Sequence, residues 1–385
     1  MTPLFRKFLG MNWVLVLTMI GLLIFGVYSI WSATHMREEL ALSTAWDKQV
    51  KWIAIGLIVF FGTSLVDYKW VKWGAVPFFI LGLGLLILVL FKGEEFHGHK
   101  NTLRFGSFGF QPSQLAIAAG ILTLALVLSH LGRLGGFFRH PMVRLLITGI
   151  VAGVPCLLVL VGADFGSAFV WLPVVAGMLL VGRIPFRYLA AILLLALTIA
   201  PWAYYVGLKD YQKLRILVFM GVVDDIKDSG WALRNSMIAI GSAGWEGKGE
   251  SRETLNHMGF IPKTTAMNDY IFTVMSEKLG FRGGVFIIAA FALLLMLCMY
   301  VAFYSRDQLG RLLVVGIIAL LFGHVMLNIG GNIQVLPLTG LPLPMVSYGG
   351  TFVVAVMFLM GIVQSVWVHR DETLLPATER QDAGI

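Results

Sequence analysis

The stretch Thr264-Thr-Ala-Met-Asn-Asp-Tyr-Ile-Phe-Thr-Val-Met-Ser-Glu-Lys-Leu-Gly280 sets one carboxylate, Asp269, between a polar segment and the start of a hydrophobic one. An acid facing an outer cavity can act as a general base, and burial near lipid raises a carboxyl pKa toward a useful range. The same position suits a helix cap: Asn268 or Asp269 could close the N-terminus of the helix implied by Ile271, Phe272, Val274 and Met275. Residue type and spacing leave both readings open. Lys209-Asp-Tyr-Gln-Lys-Leu-Arg215 gathers three cations, Lys213 among them, on one short amphipathic piece. It reads either as a clamp for phosphate on a lipid headgroup, Arg giving a bidentate fork and Lys a point charge, or as a solvated interfacial anchor. Another lone acid, Asp164, stands in Gly162-Ala-Asp-Phe-Gly166. Glu94-Glu-Phe-His-Gly-His99 carries metal-capable side chains, yet two histidines at i and i+2 on a loop read as a solvated polar turn rather than a metal site.

The elements that must position these residues are membrane helices. The chain is 58% hydrophobic and 13% charged, with a mean hydropathy of +0.83, and its apolar residues fall in long blocks instead of amphipathic stripes. Runs of roughly 17 to 25 apolar residues cross a ~30 Å hydrocarbon layer as helices. About ten are present, near residues 12–33, 52–67, 73–92, 114–131, 144–162, 166–182, 187–207, 283–304, 311–331 and 351–368. Leu145 to Val181 would be about 55 Å long as one helix and must turn, and Gly162 to Gly166 is the place for it. The first run is too long for the apolar region of a secretory signal and is read as a retained helix. Cys156 and Cys298 both fall inside spans, which argues against a disulfide framework.

Basic residues fix the sidedness. Arg6 and Lys7, Lys69 and Lys72, Arg133, Arg139 and Arg144, Arg183 and Arg187, Arg306 and Arg311, and Arg370 fall on alternate connections, which the positive-inside rule makes cytoplasmic together with both termini. The net charge of +8 is largely theirs; it suits anionic membrane lipids and calls for no nucleic acid. The outer face then receives the Asp164 turn, a long segment over 208–282 and a Pro-rich segment over 332–350. Pro337, Pro342 and Pro344 stop that last segment from being helical throughout. Non-helical backbone near membrane depth survives only when packed in protein or lining a wet cavity, so this segment is expected to re-enter and wall an outward groove. The span interiors lack Asp, Glu, Lys and Arg near their middles, which disfavours a proton-driven transporter. His324 and Asn328, one turn apart, read as an interhelical hydrogen-bonding pair.

The segment Pro342-Leu-Pro-Met-Val-Ser-Tyr-Gly-Gly350, preceded by Asn328 and Leu336-Pro337, resembles the signature before the last span of the SEDS family (shape, elongation, division and sporulation; RodA, FtsW and SpoVE). Further matches extend over about residues 12–370. Phe110-Gln-Pro-Ser113 is similar to F-Q-P-S-E, Asp164-Phe-Gly-Ser167 to D-x-G-[ST], and Tyr211-Gln-Lys-Leu-Arg-Ile216 to Y-Q-x-x-R-[IV]. Ala239-Ile-Gly-Ser-Ala-Gly244 with Gly247 and Gly249 resembles A-I-G-S-G-G followed by G-x-G. Asp269-Tyr-Ile-Phe272 with Glu277 and Leu279-Gly280 resembles D-F-I-F-x-x-x-x-E-E-L-G. The chain departs from the pattern at Lys263, at Gln114 and Ile117, at Lys278 in place of the second acid, and in a spacing from Pro262 to Asp269 two residues longer.

The resemblance implies an all-α polytopic fold of about ten spans, a single membrane unit over residues 1–370 and a short cytoplasmic tail over 371–385. It implies a peptidoglycan glycosyltransferase of the bacterial cytoplasmic membrane that polymerises lipid II at the outer face beside a class B penicillin-binding protein, in a role more RodA-like than FtsW-like. Asp269 would be the catalytic base, Arg215 with Lys213 would meet the pyrophosphate, and Asp164, Glu277, Asn328, Ser347 and Tyr348 would belong to the substrate site. No cofactor is demanded; a divalent cation such as Mg or Mn could bridge the pyrophosphate, with Asp164 as one outer acid, although no ligand set is visible. A lipid II flippase and a non-catalytic scaffold that recruits the transpeptidase are the alternatives.

Overall fold

A computed structural model describes residues 3–35, 43–96, 99–105, 108–131, 136–162, 164–191, 194–195, 198, 210–222, 229–251 and 253–370. Among them, helices α1 (Pro3–Leu9), α2 (Trp13–Thr34), α3 (Ala45–Leu65), α4 (Val71–Lys92), α5 (Pro112–Leu131), α6 (Pro141–Val161) and α7 (Phe165–Val181) form the first half. Helices α8 (Asp210–Phe219), α9 (Ser229–Ser242), α10 (Ile271–Tyr304), α11 (Gln308–Asn332) and α12 (Gly350–Val368) form the second. Eight of the described helices are long and apolar enough to span a bilayer, α4 together with the short turn before it, and the 17-residue α7 is a shorter apolar helix. The expected span over 187–207 lies mostly outside the described residues. Three short antiparallel strands, Glu94–Phe96, His99–Phe105 and Phe108–Phe110, join α4 to α5; hydropathy alone did not anticipate them.

Side-chain caps mark several of the helix starts. Asn12 accepts from the Leu15 amide at 3.2 Å, Asp164 from the Ser167 amide at 3.1 Å and Asp307 from the Gly310 amide at 3.3 Å, each meeting one donor that a helix start leaves free. Asp164 therefore makes the turn between α6 and α7, where helix length required one. Helices α5, α11 and α12 are mostly buried, while α3 and α4 turn most of their surface to lipid. The most extensive helix pair is α3 with α12, where Gly361 faces Thr63 and the Phe60 carbonyl and Gly350 faces Trp52.

The eighth span, expected from near 283, is the second part of α10, which starts at Ile271, breaks at Gly280 with φ 69° and ψ −164°, and resumes as helix just before the expected start. A break frees carbonyls that would have accepted from the next turn, and the segment before α10 supplies their donors: Lys248 N–H bonds the Glu277 carbonyl and Gly249 N–H the Lys278 carbonyl, each at 3.0 Å. Phe281 N–H in turn bonds the Gly244 carbonyl at 2.9 Å. Gly247 and Gly280, both at positive φ, lie so close that a Cβ on either would enter the other's backbone. His324 and Asn328 do not pair helix to helix. His324 Nδ1 lies 3.2 Å from the Pro342 carbonyl, and Asn328 Nδ2 donates to the Leu341 carbonyl at 2.7 Å, so both hold the re-entrant segment.

That segment is deeply packed: Leu341, Leu343, Met345, Val346 and Ser347 are buried. Its turn places Met345 at φ 64°, a left-handed conformation that a side chain adopts only when its surroundings impose it. Gly26 on α2 lies directly against the Met345 carbonyl and the Val346 Cα, whereas Gly21, on the same helix, has nothing within 4 Å of the place a Cβ would take. A Gly26→Val substitution is therefore expected to cost about 2 kcal/mol or more through overpacking, read as a lowered thermal midpoint in detergent, while Gly21→Val leaves the midpoint unchanged.

Candidate functional site

Asp269 sits in a non-helical turn immediately before α10, and the backbone on each side of it is held by other elements. Three successive carbonyls each accept from a distant donor. Tyr348 N–H bonds the Met267 carbonyl at 2.9 Å, and the Ser347 hydroxyl donates to the Asn268 carbonyl at 2.6 Å. Asn328 Nδ2 and Asn332 Nδ2 both donate to the Asp269 carbonyl, at 3.0 and 2.8 Å. Ser347 Oγ in turn accepts from Leu343 N–H at 2.8 Å, and Gln49 of α3 bridges the Ser347 carbonyl and the Gly349 amide. Asn332 is held through its own carbonyl oxygen by Thr273 at 2.7 Å. The N-cap residue of α10 is Tyr270, which makes no side-chain capping bond.

The acid lines a narrow depression with Leu327, Asn328, Leu338, Thr339, Gly340 and Leu341. Gly340, at φ +70°, has only Asp269 Oδ2 near the place its Cβ would take, at 3.6 Å. The N-terminal turn of α7 abuts the same stretch, because Gly166 meets the Thr339 carbonyl and the Leu341 side chain. Directly behind that turn, the Asp164 carboxylate accepts from Gln111 Nε2 at 3.0 Å, from the hydroxyls of Ser113 at 3.1 Å and Ser167 at 2.9 Å, and from the Ser167 amide. These donors aim at both carboxylate oxygens and fix the carboxylate as the cap of α7. Among the described residues no three His, Cys, Asp or Glu side chains gather to hold a metal.

The residues singled out in the sequence thus divide. Asp269, Asn328, Ser347 and Tyr348 come together, and Asp164 stands one layer behind them. Burial pushes the Tyr348 phenol pKa up, so it stays protonated at neutral pH. Lys213 lies on α8 and is absent from the depression's lining; Arg215 belongs to the same helix, and its side chain lies outside the described residues. Glu277 lies further along α10 in a separate polar cluster. Sequence reading missed Asn332, Thr339 and Gln49. Only Asn332 carried a signal, four residues after Asn328 on one helical face.

A family model described as "Cell cycle protein", built on FtsW, RodA and SpoVE, matches residues 9–372. The chain belongs to that family. It is 27% identical to the peptidoglycan glycosyltransferase RodA of Treponema pallidum, over 92% of this chain and 97% of that one. It is 28% identical to the peptidoglycan glycosyltransferase MrdB of Escherichia coli K12, over 92% and 93%. With the probable peptidoglycan glycosyltransferase FtsW of Geobacter metallireducens the identity is 30%, over 92% and 93%. In three dimensions it superposes on a chain from a study of "polymerization and crosslinking by a peptidoglycan synthase complex" with TM-score 0.78 and 25% identity, covering 95% of this chain and 99% of the other. The Thermus thermophilus RodA crystal structure matches in fold with TM-score 0.67 at 23% identity, over 94% and 97%.

Within this FtsW/RodA/SpoVE-family fold, the two charges after the acid, Glu277 and Lys278, find partners in the Gly247-Lys-Gly-Glu250 run. Glu277 is fully buried and accepts from Lys248 Nζ at 2.9 Å, the Leu255 amide at 2.7 Å and the Asn256 amide at 3.4 Å. Lys278, also buried, donates to Glu250 Oε2 at 2.5 Å, to the Ser32 carbonyl at 2.6 Å and to the Ser32 hydroxyl. Asn256 Nδ2 takes the neighbouring Ala33 carbonyl at 3.2 Å. Together they satisfy last-turn carbonyls of α2 and set a cation at its negative end. Around the cluster, His35 Nε2 lies 3.7 Å from Glu250 and stacks on Trp31, and burial pushes the pKa of nearby His257 down.

For the Glu250 carboxyl, burial opposes ionisation, but hydrogen bonds from Lys278 and Ser32 and the positive charges of Lys278 and His35 outweigh it and hold its pKa below the usual carboxylate range. The sign follows: this contribution to stability is complete above the unfolded carboxylate pKa, about 4.3, and is lost as pH falls through the lower folded value. A Glu250→Gln variant is expected to lose that part of the acid dependence of the thermal midpoint. The pair is also asymmetric, since the Lys278 side chain is 1% exposed and that of Glu250 35%. Glu250→Ala strands a buried ammonium and is expected to cost about 3 kcal/mol or more, whereas Lys278→Met leaves an acid with access to water and costs about 1 kcal/mol or less, both read by thermal or denaturant unfolding.

Proposed function

We propose that this chain is a peptidoglycan glycosyltransferase that polymerises lipid II at the outer face of the bacterial cytoplasmic membrane, with Asp269 as general base. The observation that carries the reading is the clamp on Asp269: three consecutive carbonyls tied to the re-entrant segment and to α11, with the carboxyl-bearing residue lining the depression between them. A general base works only when held in fixed relation to the proton it removes. The curated relatives that carry the same activity in their names match nearly end to end.

In this reading the Asp269 carboxylate takes the proton of the 4-hydroxyl on the acceptor's GlcNAc. That oxygen forms a bond to C1 of the donor's MurNAc as the bond from C1 to undecaprenyl pyrophosphate breaks. Charge accumulates on the departing pyrophosphate, and Lys213 and Arg215 on α8 are the cations assigned to it. The side chains of Asn328 and Ser347 are committed to backbone carbonyls and act by positioning Asp269, while Asp164 locks the start of α7 against the same segment. Glu277 anchors the outer segment at the α10 break and so bears on the site from a distance.

The likeness to a chain of a peptidoglycan synthase complex supports a class B penicillin-binding protein as partner, and the basic connections support cytoplasmic termini. A RodA-like role in elongation fits the RodA and MrdB relatives. Residues 1–370 are assigned to one membrane unit; the tail over 371–385 lies outside the described residues. Purified lipid II, offered to the wild-type protein and to Asp269→Asn with and without the cognate transpeptidase, tests the reading. Glycan strands are expected from the wild type and none from the variant, although both bind the partner. Failure of both despite confirmed complex formation would favour a scaffold.

A further inference from the structure

We infer that the Thr339 hydroxyl is a second polar contact for the acceptor sugar, receiving the same hydroxyl that Asp269 deprotonates. This rests on the glycosyltransferase reading above and extends it to a second polar residue in the lining of the same depression. Thr339 lines the depression with Asp269, yet its Oγ1 is buried and has no hydrogen-bond partner. A buried unpartnered hydroxyl costs about 1–3 kcal/mol, so one that persists calls for an explanation. Local structure offers none. A threonine in a helix would bond the carbonyl one turn back, but Thr339 lies in the non-helical stretch between α11 and α12. Its backbone is fixed as well, because its carbonyl is pressed against Gly166.

The surroundings specify what would satisfy it. Leu327, Leu338 and Leu341 make the rest of the lining largely apolar. The adjoining Gly340 has φ +70°, and a Cβ there would sit 3.6 Å from Asp269 Oδ2. Lack of a side chain at 340 therefore leaves the space beside the carboxylate open. The depression itself holds no water-sized group, and the open position at exposed Gly340, beside Asp269 Oδ2, is the side from which a sugar hydroxyl would approach. Such a hydroxyl complements both groups: it donates its hydrogen to the carboxylate and accepts one from Thr339. As the proton moves to Asp269, negative charge grows on the sugar oxygen and the bond from Thr339 strengthens. Another lone pair of that oxygen remains to attack C1 of the donor. The interaction is then stronger in the transition state than in the ground state, and its loss falls on kcat.

The test compares Thr339→Val, Thr339→Ser and Asp269→Asn in the full-length protein bound to its cognate transpeptidase, with initial polymerisation rates over a range of lipid II concentrations and thermal midpoints for each. Thr339→Val replaces the hydroxyl by a methyl of similar shape and removes an unsatisfied buried group. Its midpoint is expected to stay level or rise while kcat falls about tenfold or more with KM little changed. Thr339→Ser keeps the hydroxyl and is expected to restore most of the rate. Full activity of Thr339→Val beside an inactive Asp269→Asn would overturn the inference and leave the base in place. A rate loss in Thr339→Val accompanied by a lowered midpoint, and not restored by serine, would make the residue structural and overturn it too. Retained activity in Asp269→Asn would overturn the base assignment and this inference with it.

Discussion

A peptide group without a hydrogen-bond partner inside a bilayer costs several kcal/mol, and among the described residues the backbone next to the spans leaves the helix before α10 and before α12. The re-entrant stretch before α12 and the segment before α10 solve that problem largely against each other and against α11. Tyr348, Ser347, Asn328 and Asn332 supply donors to the carbonyls of Met267, Asn268 and Asp269. The break at Gly280 is met in the same way by amides of Lys248 and Gly249. Asp269 is thus positioned as a by-product of satisfying its own backbone. The requirement that makes irregular backbone tolerable in a membrane is the one that makes a carboxylate rigid enough for proton transfer.

Such matching needs backbones to approach more closely than side chains permit. Gly26 admits the Met345 turn against α2, Gly166 admits the Thr339 carbonyl against α7, and Gly247 and Gly280 admit each other. Met345, like Gln334 and Arg183, is held at positive φ without being glycine. Its side chain is fully buried, and the strain of about 1–2 kcal/mol is set against that burial. Through Gly26 and Lys278, both the re-entrant segment and the break in α10 rest on α2, which ties the first span to the site although it contributes nothing to the depression's lining.

Much of this architecture was readable from composition. Apolar blocks gave the helices, chain length forced the turn at Asp164, and Pro337, Pro342 and Pro344 denied a helix to the segment before α12. Where the reading went astray, a residue's meaning depended on a remote partner. Glu277 and Lys278 look like unpartnered charges until Lys248 and Glu250, 29 and 28 residues earlier, are placed against them. His324 and Asn328 look like an interhelical pair because sequence cannot show that carbonyls of Pro342 and Leu341 lie closer. Asp269 could have been a simple cap by the usual rules, and only the tertiary bonds around it distinguish a held acid from a capping one.

The distribution of unsatisfied atoms carries the argument one step further. Asp164 has a donor for each oxygen and buried Glu277 is matched by two amides and a lysine. Beside Asp269 the balance differs: Asn268 Oδ1 and Thr339 Oγ1 are both buried without partners. Buried atoms without partners also occur away from the site, among them Arg144 Nε, Trp171 Nε1 and Gln364 Nε2, so an unpaired atom alone does not mark a site. What distinguishes Thr339 is that it lines the depression with Asp269, where an incoming hydroxyl would complete it. The stability forgone there is then recovered as binding in the transition state.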